Sequence, residues 1–301
     1  MPSWRAHLAS WYLWFWAKGN FTSAAALEKR IAQARKSPPD HRPPQHFRTK
    51  FIVEERQVAG HTVYDLAPKS ETPNAARILY LHGGSFMFEI QPPHWTLVAL
   101  LAERLQASIT VPIYPLGPES KLNDMYAMLQ PIHDEMAASR DDAPFFVVGD
   151  SAGGCMSLVV TQEAIKAGKP LARGVVPITP VVDATFANPE AHEVSKRDPW
   201  LDVVGCKAVG ELVRGQWPTD DARVSPLFGN VDKLPPMMVL AAEHDLLTPD
   251  TKRFVDKVKS AGGDVTLVEG PGMMHVWPLV LPDHDGKEAV DLMVEWMEKR
   301  M

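Results

Sequence analysis

The chain has 301 residues, of which 45% are hydrophobic and 23% are charged, and its formal net charge is −6. That length suits one large α/β domain or two ordinary ones, and the mild acidity with no prominent basic cluster argues against a nucleic-acid partner. The two cysteines, Cys155 and Cys206, are too few for a disulfide framework, so we expect a reducing, cytoplasmic location.

The first 45 residues predict two helices that end at a proline-rich break. In the first helix, Trp4, Leu8, Trp11 and Phe15 recur at helical spacing and would form one apolar face. The apolar stretch is too short to span a bilayer, and we expect no secretory signal. We expect the helix to pack on the body of the protein and make no membrane contact. An interfacial anchor and a lid over a pocket are the alternatives.

From Phe51 onward, strand-like and helix-like segments alternate. The predicted strands are Phe51–Val58, His61–Ala67, Arg77–Leu81, Ser108–Tyr114, Phe145–Val148, Gly174–Ile178, Met237–Ala242 and Val265–Val268. The predicted helices are Leu122–Ser139, Gly154–Ala167, Pro249–Ser260 and Gly286–Lys299. This order predicts an α/β fold with a mainly parallel, eight-stranded sheet, antiparallel only at its beginning, and helices on both faces.

The alternation lapses between residues 183 and 230, where the pattern is mostly helical. This segment resembles an insertion into the connections of the sheet. We therefore predict a helical cap formed by residues 1–45 and 183–230. The remaining residues, 46–182 and 231–301, would form the core that carries the chemistry.

The stretch Gly149-Asp150-Ser151-Ala152-Gly153 falls between a predicted strand and a predicted helix. In that context G-x-S-x-G forms a sharp, strained turn that exposes the serine at the edge of a sheet, and its glycines let strand and helix approach. The serine also lies at the N-terminus of a helix, whose dipole favours developing negative charge. Ser151 is therefore the predicted nucleophile.

A serine nucleophile needs a base to take its proton and a carboxylate to orient that base. His275 follows the last predicted strand, and three acidic residues, Glu243, Asp245 and Asp250, follow the strand before it. Asp250 follows a proline and suits a helix start, and Glu243 comes directly off the strand. Asp245 is the predicted orienting acid, and the order Ser, acid, His matches α/β-hydrolases.

The stretch His82-Gly83-Gly84 directly follows the third predicted strand, where a second oxyanion donor is expected. The predicted oxyanion hole consists of the N–H groups of Gly83, Gly84 and Ala152, with Ser85 as a further contributor. The predicted substrate pocket is lined by Ser85, Phe86, Phe88, Trp95, Asp150, Trp200, Met274 and Val276. No metal-ligand cluster or phosphate-binding loop is recognisable, so neither a metal nor a cofactor is expected.

Four motifs together resemble the hormone-sensitive-lipase-like family of α/β-hydrolases (bacterial esterase family IV): His82-Gly83-Gly84, Gly149–Gly154, Asp245-Leu246-Leu247 and His275. The resemblance covers the chain from about Phe51 to its end. It implies a capped α/β-hydrolase fold and cofactor-free hydrolysis of carboxylic esters through an acyl-serine intermediate. Family members build the cap from N-terminal helices and an insertion after the sixth strand.

Two details refine the resemblance. His275-Val276-Trp277 is similar to members that act on small lactones and terpenoid esters. Ser85 stands where the family often has a third glycine. The N–H of Ser85 can still donate, but its side chain narrows the site. This narrowing puts in doubt the acceptance of bulky tertiary-alcohol esters as substrates.

The predicted function is therefore that of a serine carboxylesterase whose substrate is a small molecule, a short-to-medium acyl ester or a small lactone. A lipase or an amidase using the same triad is one alternative. A non-catalytic small-molecule receptor is another, and the presence of His275 argues against it. For the oligomeric state, a homodimer is one option.

Overall fold

The computed structural model describes residues 2–70, 76–138, 143–282 and 285–301. The strands in these ranges are β1 Phe51–Val58, β2 His61–Pro68, β3 Arg77–Leu81, β4 Ser108–Pro112, β5 Phe145–Asp150, β6 Gly174–Ile178, β7 Met237–His244 and β8 Val265–Met274. They form one sheet in the order β1-β2-β4-β3-β5-β6-β7-β8. Strand β2 runs antiparallel to both of its neighbours, and all other neighbours are parallel. The predicted mainly parallel sheet of eight strands is confirmed.

The helices in the same ranges are α1 Trp4–Trp16, α2 Ala24–Lys36, α3 Phe47–Lys50, α4 Pro92–Leu105, α5 Leu122–Ala137, α6 Ala152–Lys166, α7 Pro189–Ser195, α8 Val203–Val213, α9 Thr248–Ser260, α10 Trp277–Val280 and α11 Asp285–Glu298. Two 3₁₀ turns, Lys18–Phe21 and Pro226–Phe228, complete the regular structure. Within the part of the chain described, no helix is long and apolar enough to cross a membrane.

The central strands are apolar at consecutive positions because both faces of the sheet are covered. Successive side chains of a strand point to opposite faces. In β3, Leu79 and Leu81 pack in a cluster with α5, α6 and α9, whereas Ile78 and Tyr80 pack in a second cluster with α4 and α11. The predicted placement of helices on both faces is confirmed.

The structure differs from the sequence-based predictions at several helix and strand boundaries. Helix α4 was not predicted, and Ser139, the predicted end of the fifth helix, lies outside the described residues. Strand β8 continues to Met274, although its Gly270-Pro271-Gly272 reads as a loop, because it stays paired with β7 across an irregularity between Ala242 and His244. His275 therefore comes directly off a strand end.

The prediction for the apolar face of α1 is wrong. Ala6 and Leu13 are buried against the core, with Ala9 partly buried beside them, whereas Trp11 and Phe15 are 65% and 62% exposed. Ala6, Ala9 and Leu13 recur at helical spacing, and their stripe lets the helix approach the body more closely than tryptophan rings would. The aromatic side chains are left facing outward.

Candidate active site

Ser151 sits at the sharp turn between β5 and α6. Its backbone has φ 53° and ψ −116°, a conformation that L-residues rarely adopt. The flanking glycines have no room for side chains: a Cβ on Gly153 would lie 1.9 Å from the Leu81 carbonyl oxygen, and one on Gly149 would lie 2.4 Å from that of Gly153. The close packing of strand and helix therefore explains the glycine spacing of the motif.

The structure brings Ser151, His275 and Asp245 into one line of hydrogen bonds. His275 Nε2 lies 2.9 Å from Ser151 Oγ, and His275 Nδ1 lies 2.7 Å from Asp245 Oδ2. All three residues are buried. Because a carboxylate only accepts, Nδ1 carries the imidazole proton and Nε2 is free to accept the proton of the serine hydroxyl.

The environment of His275 favours its charged form. Burial alone lowers the pKa of His275, but the charge and hydrogen bond of Asp245 outweigh burial and raise this pKa above the usual 6.5. Asp245 is itself held in place, because its Oδ1 accepts the N–H of Leu247 at 2.9 Å. The imidazolium that forms when His275 takes a proton is thus stabilised in advance.

The two competing acids lie elsewhere. Glu243 is exposed and accepts the N–H of Gly272 at 2.7 Å. Asp250 lies in the first turn of α9, where it accepts hydrogen bonds from Asn188 at 2.9 Å and Arg253 at 2.6 Å. Of the three candidate acids, Asp245 is the one hydrogen-bonded to the histidine.

A second buried carboxylate, that of Asp198, lies beside Asp245. It is not among the site residues predicted from the sequence. One of its oxygens accepts the N–H groups of Trp200 and Leu201, both at 2.8 Å, and the other accepts that of Leu246 at 2.9 Å. Burial, followed by the charge of Asp245, raises the pKa of Asp198 to about 7. Nothing local in the sequence marks this residue, because its partners are brought to it by the fold.

The loop that carries Asp198 is tied to the N-terminal segment. Lys18 Nζ donates at 2.7–2.9 Å to three backbone carbonyls, those of Ser195, Asp198 and Leu201. Trp200 of the same loop packs edge-on against His275, with ring centroids 5.8 Å apart. One lysine thus links the N-terminal segment to a loop that contacts the base.

The glycine loop after β3 is anchored by Asp150. The buried carboxylate of Asp150 accepts the Tyr80 hydroxyl at 2.6 Å and the Gly83 N–H at 3.0 Å, and His94 Nε2 lies 3.4 Å from its other oxygen. Because His94 Nδ1 accepts the N–H of Gln91 at 2.8 Å, its Nε2 carries the proton that faces Asp150. Tyr80 and His94 are site residues that the sequence reading missed.

This arrangement corrects the predicted set of oxyanion donors. The N–H of Gly83 is engaged by Asp150 and is not available to a substrate. The N–H groups of Gly84, Ser85 and Ala152 have no acceptor among the described residues. Gly84 and Ser85 adopt positive φ, 113° and 54°, and both line the same cleft as Ser151. Ser85 therefore replaces Gly83 among the candidate donors.

His82 of the same motif plays a packing role. Its ring is buried and stacks on Tyr114, with centroids 4.3 Å apart, and its Nδ1 lies 2.7 Å from the Gly83 carbonyl oxygen. The Tyr114 hydroxyl donates to the His82 carbonyl at 2.7 Å. Burial lowers the pKa of His82 to about 3, so the ring is neutral.

Two cavities meet at Ser151. One is a narrow apolar pocket of about 40 Å³. By the same measure of volume, one water molecule needs about 10–15 Å³. The narrow pocket is lined by Ser85, Phe86, Leu122, Ser151, Val181, Ala184, Phe186, Leu201, Cys206, Val209, Gly210, Val213, Val224 and Leu247. The other is an open cleft that includes Gly84, Ser151, Trp200 and His275, together with Tyr12 and Trp16 of α1.

Most residues of the predicted substrate pocket line one of these cavities. Ser85 and Phe86 line the narrow pocket, and a further group lines the cleft, namely Ser85, Phe88, Asp150, Trp200 and Val276. Two predicted residues do not. The Trp95 ring packs edge-on against Phe47 and Tyr64 in the core, and Met274, the last residue of β8, is fully buried.

The described residues form no recognisable metal centre, at this site or at another. In the ranges that the structure covers, no group of three or more His, Cys, Asp or Glu side chains is placed to hold a metal ion. The chemistry available at Ser151 is that of a serine, an imidazole, a carboxylate and backbone N–H groups.

Comparison with known proteins identifies the class. Residues 78–279 match a family model described as the alpha/beta hydrolase fold, and this range is more than half of the chain. A solved esterase from the bacterial hormone-sensitive lipase (HSL) family superposes with a TM-score of 0.82 at 21% identity, covering 100% of this chain and 99% of that one. The chain therefore belongs to the α/β-hydrolase family, and its resemblance to the hormone-sensitive-lipase-like group rests on the four motifs of its sequence.

Curated relatives from Mycobacterium tuberculosis include a lipase and a carboxylesterase. A triacylglycerol lipase is 26% identical over 224 residues, which is 74% of this chain and 46% of the lipase. Carboxylesterase NlhH is 27% identical over 272 residues, or 85% of this chain and 83% of NlhH. The chain thus matches less than half of the lipase but most of the carboxylesterase.

Proposed function

We propose that this chain is a serine carboxylesterase in which Ser151 is the nucleophile, His275 the general base and acid, and Asp245 the orienting carboxylate. The observation that carries the proposal is the line of hydrogen bonds from Ser151 Oγ through His275 to Asp245, at 2.9 and 2.7 Å. Relatives named as a carboxylesterase and a lipase support the same chemistry.

The reaction follows from the positions of these groups. His275 Nε2 takes the hydroxyl proton while Ser151 Oγ attacks the ester carbonyl, and the new oxyanion accepts the N–H groups of Gly84, Ser85 and Ala152. His275 then gives its proton to the departing alcohol oxygen, and an acyl-serine remains. Water, deprotonated by His275, attacks the acyl-serine, the bond from the acyl carbon to Ser151 Oγ breaks, and His275 returns the proton to Oγ, which releases the acid and the free serine.

The same geometry orients the substrate. The alcohol oxygen must lie near His275 to receive its proton, so the alcohol portion occupies the open cleft that His275 lines. The narrow apolar pocket lacks His275 but reaches Ser85 and Ser151, so it holds the acyl chain. Its small volume favours short acyl groups over long ones. A small lactone carries both portions in one ring.

Residues 1–45 and 183–230 act together as the cap of this site in our proposal. Phe186, Val209 and Val213 close the narrow pocket, and Tyr12 and Trp16 border the cleft. The two segments also contact each other closely, since a Cβ on Gly205 of α8 would lie 2.4 Å from the Phe21 carbonyl oxygen.

The test is a series of p-nitrophenyl esters of increasing acyl length. Each buried methylene contributes up to about 0.8 kcal/mol until the pocket is full, so kcat/KM should rise, peak between about four and eight carbons, and then fall. The Ser151→Ala variant is the control for background hydrolysis. No ester hydrolysis above that control would overturn the proposal. A rate that still climbs at palmitoyl esters would identify a lipase instead.

A further inference from the structure

Helix α1 presents an unusually large apolar surface. Seven of its side chains are between 43% and 73% exposed: Trp4, Leu8, Trp11, Tyr12, Trp14, Phe15 and Trp16. We call this set the α1 aromatic face. At roughly 200 Å² for each large side chain, its exposed area is on the order of 800 Å², whereas the largest patch on a typical monomer is about 300–600 Å². An exposed apolar surface of this size is typical of a site that contacts another protein or a membrane.

The charge of the N-terminal segment that carries this face is also distinctive, and the sequence-based prediction overlooked it. Residues 1–50 carry nine Lys and Arg against two Asp and Glu, so residues 51–301 carry 22 against 35. The formal charges are +7 and −13. Helix α1 contains no acidic residue, and four exposed bases of α1 and α2 form no ion pair within the described ranges: Arg5, Lys29, Arg30 and Lys36.

We infer that the α1 aromatic face docks on the surface of a membrane that contains anionic phospholipid. Tryptophan and tyrosine rings are suited to the boundary between headgroups and acyl chains, and nearby Lys and Arg are attracted to anionic headgroups. With 13 residues, α1 is too short to span a bilayer, so it lies in the plane of the interface. A second copy of this chain is a poorer occupant, because a two-fold contact would bring two basic segments together.

The position of the face suggests what docking achieves. Tyr12 and Trp16 belong to the α1 aromatic face and also border the cleft that holds Ser151 and His275. An apolar ester dissolved in the bilayer can therefore reach the cleft without crossing bulk water. This consequence for the substrate class rests on the proposed function, whereas docking itself does not.

The experiment is co-sedimentation with vesicles, using the full chain with Ser151→Ala so that no lipid is hydrolysed. The vesicles are phosphatidylcholine alone or phosphatidylcholine mixed with phosphatidylglycerol. We expect binding to the mixed vesicles, weaker binding to phosphatidylcholine, and loss of the difference at high salt. Absence of binding to the mixed vesicles overturns the inference.

Variants locate the contact. Trp11 and Phe15 pack edge-on against each other, with ring centroids 4.8 Å apart, and do not line the cleft. Trp11→Ser with Phe15→Ser should therefore weaken vesicle binding at least tenfold. The matched control is Ile52→Ser with Phe228→Ser, which removes two side chains of similar exposure, 50% and 45%, outside α1. The control should bind as the parent does.

The charges are tested separately. Lys29→Gln with Lys36→Gln should weaken binding to mixed vesicles about fivefold for each charge removed and leave binding to phosphatidylcholine unchanged. Equal binding by the Trp11 and Phe15 variant and its parent overturns the inference. So does a dimer, seen by light scattering, that this variant dissociates, because the face would then bind a second copy.

A last measurement separates docking from the proposed function. In a chain that keeps Ser151, the variant with Trp11→Ser and Phe15→Ser should hydrolyse a soluble p-nitrophenyl ester at the rate of the chain without these two changes. If the parent binds mixed vesicles but hydrolyses no ester, docking stands and the esterase proposal fails. If the parent hydrolyses esters but binds no vesicle, the reverse holds.

Discussion

Replacing Asp150 with asparagine tests whether the glycine loop is positioned by a buried charge. The carboxylate takes hydrogen bonds from Tyr80 and Gly83 on one oxygen, and its other oxygen faces His94. Asparagine keeps the shape and one acceptor oxygen. Its amide group then faces the His94 Nε2 proton, so that one donor points at another.

The size of the effect follows from these contacts. A hydrogen bond to a charged acceptor is worth about 1.5–3 kcal/mol and a neutral one about 1 kcal/mol, and an unmatched buried donor costs about 1–3 kcal/mol. Two weakened bonds and one unmatched donor should therefore lower the free energy of unfolding by about 2–7 kcal/mol. A loosened Gly83 also displaces the adjacent N–H of Gly84. Loss of one oxyanion donor lowers kcat by about 100- to 1,000-fold.

The pH dependence provides a further check on Asp150. Burial alone raises the pKa of Asp150, but His94 and Tyr80 outweigh burial and hold this pKa below the usual 3.8. A lowered pKa stabilises the fold above the unfolded-state value, and this contribution is lost as the pH falls through the folded-state value. The stability difference between parent and Asp150→Asn should therefore be constant above pH 3.8 and shrink below it.

The assay combines kcat and KM on p-nitrophenyl butyrate with denaturant unfolding. The control is Asp65→Asn, which removes a carboxylate of β2 that is bonded to Arg56 on β1 and to Thr110 on β4, away from the glycine loop. The control should lose stability and keep its kcat. If Asp150→Asn also lost stability and kept the parental kcat, the carboxylate would have no role in positioning the oxyanion donors.

Three further predictions concern the triad and its chemistry. Asp245→Asn should keep the fold but lose about four orders of magnitude in kcat, whereas Asp250→Asn should mainly lower the melting temperature; swapped outcomes would mean that the acid is misassigned. The pKa of His275 is raised, and only the neutral ring accepts a proton, so kcat/KM should fall as the pH drops through a value above 6.5. A midpoint of this fall in kcat/KM below pH 6.5 would contradict the described environment of His275. Prolonged treatment with EDTA should leave kcat unchanged, and inactivation that zinc reverses would refute a metal-free mechanism.

Much of the arrangement is predictable because parallel strands end at one edge of a sheet. Ser151, Asp245 and His275 each follow a strand in the sequence pattern, and the fold brings such positions together. The order of the three residues along the chain is visible in the sequence, without knowledge of the distances between them. The strand pattern also predicts the coverage of both sheet faces, since a strand buried on both sides has no polar alternation.

The rest depends on contacts between residues far apart in sequence. The Gly83 N–H is lost as an oxyanion donor because Asp150, 67 residues later, accepts it. Asp198 acquires its place beside Asp245 through a backbone donor on another loop, the N–H of Leu246. Helical periodicity shows that α1 has more than one apolar stripe, but which stripe packs depends on the surface that it meets.

In the proposed reaction, Ser151 attacks the substrate and carries the acyl group. The most direct test is mass spectrometry of the chain after reaction with diethyl p-nitrophenyl phosphate, which traps an activated serine as a stable phosphoryl adduct. We expect one adduct, on the peptide that contains Ser151, appearing in step with loss of esterase activity. We expect no adduct on the Ser151→Ala variant, whose kcat should be about 10⁶-fold lower. An adduct on another residue, or a Ser151→Ala variant that keeps a tenth of the parental activity, would contradict the account.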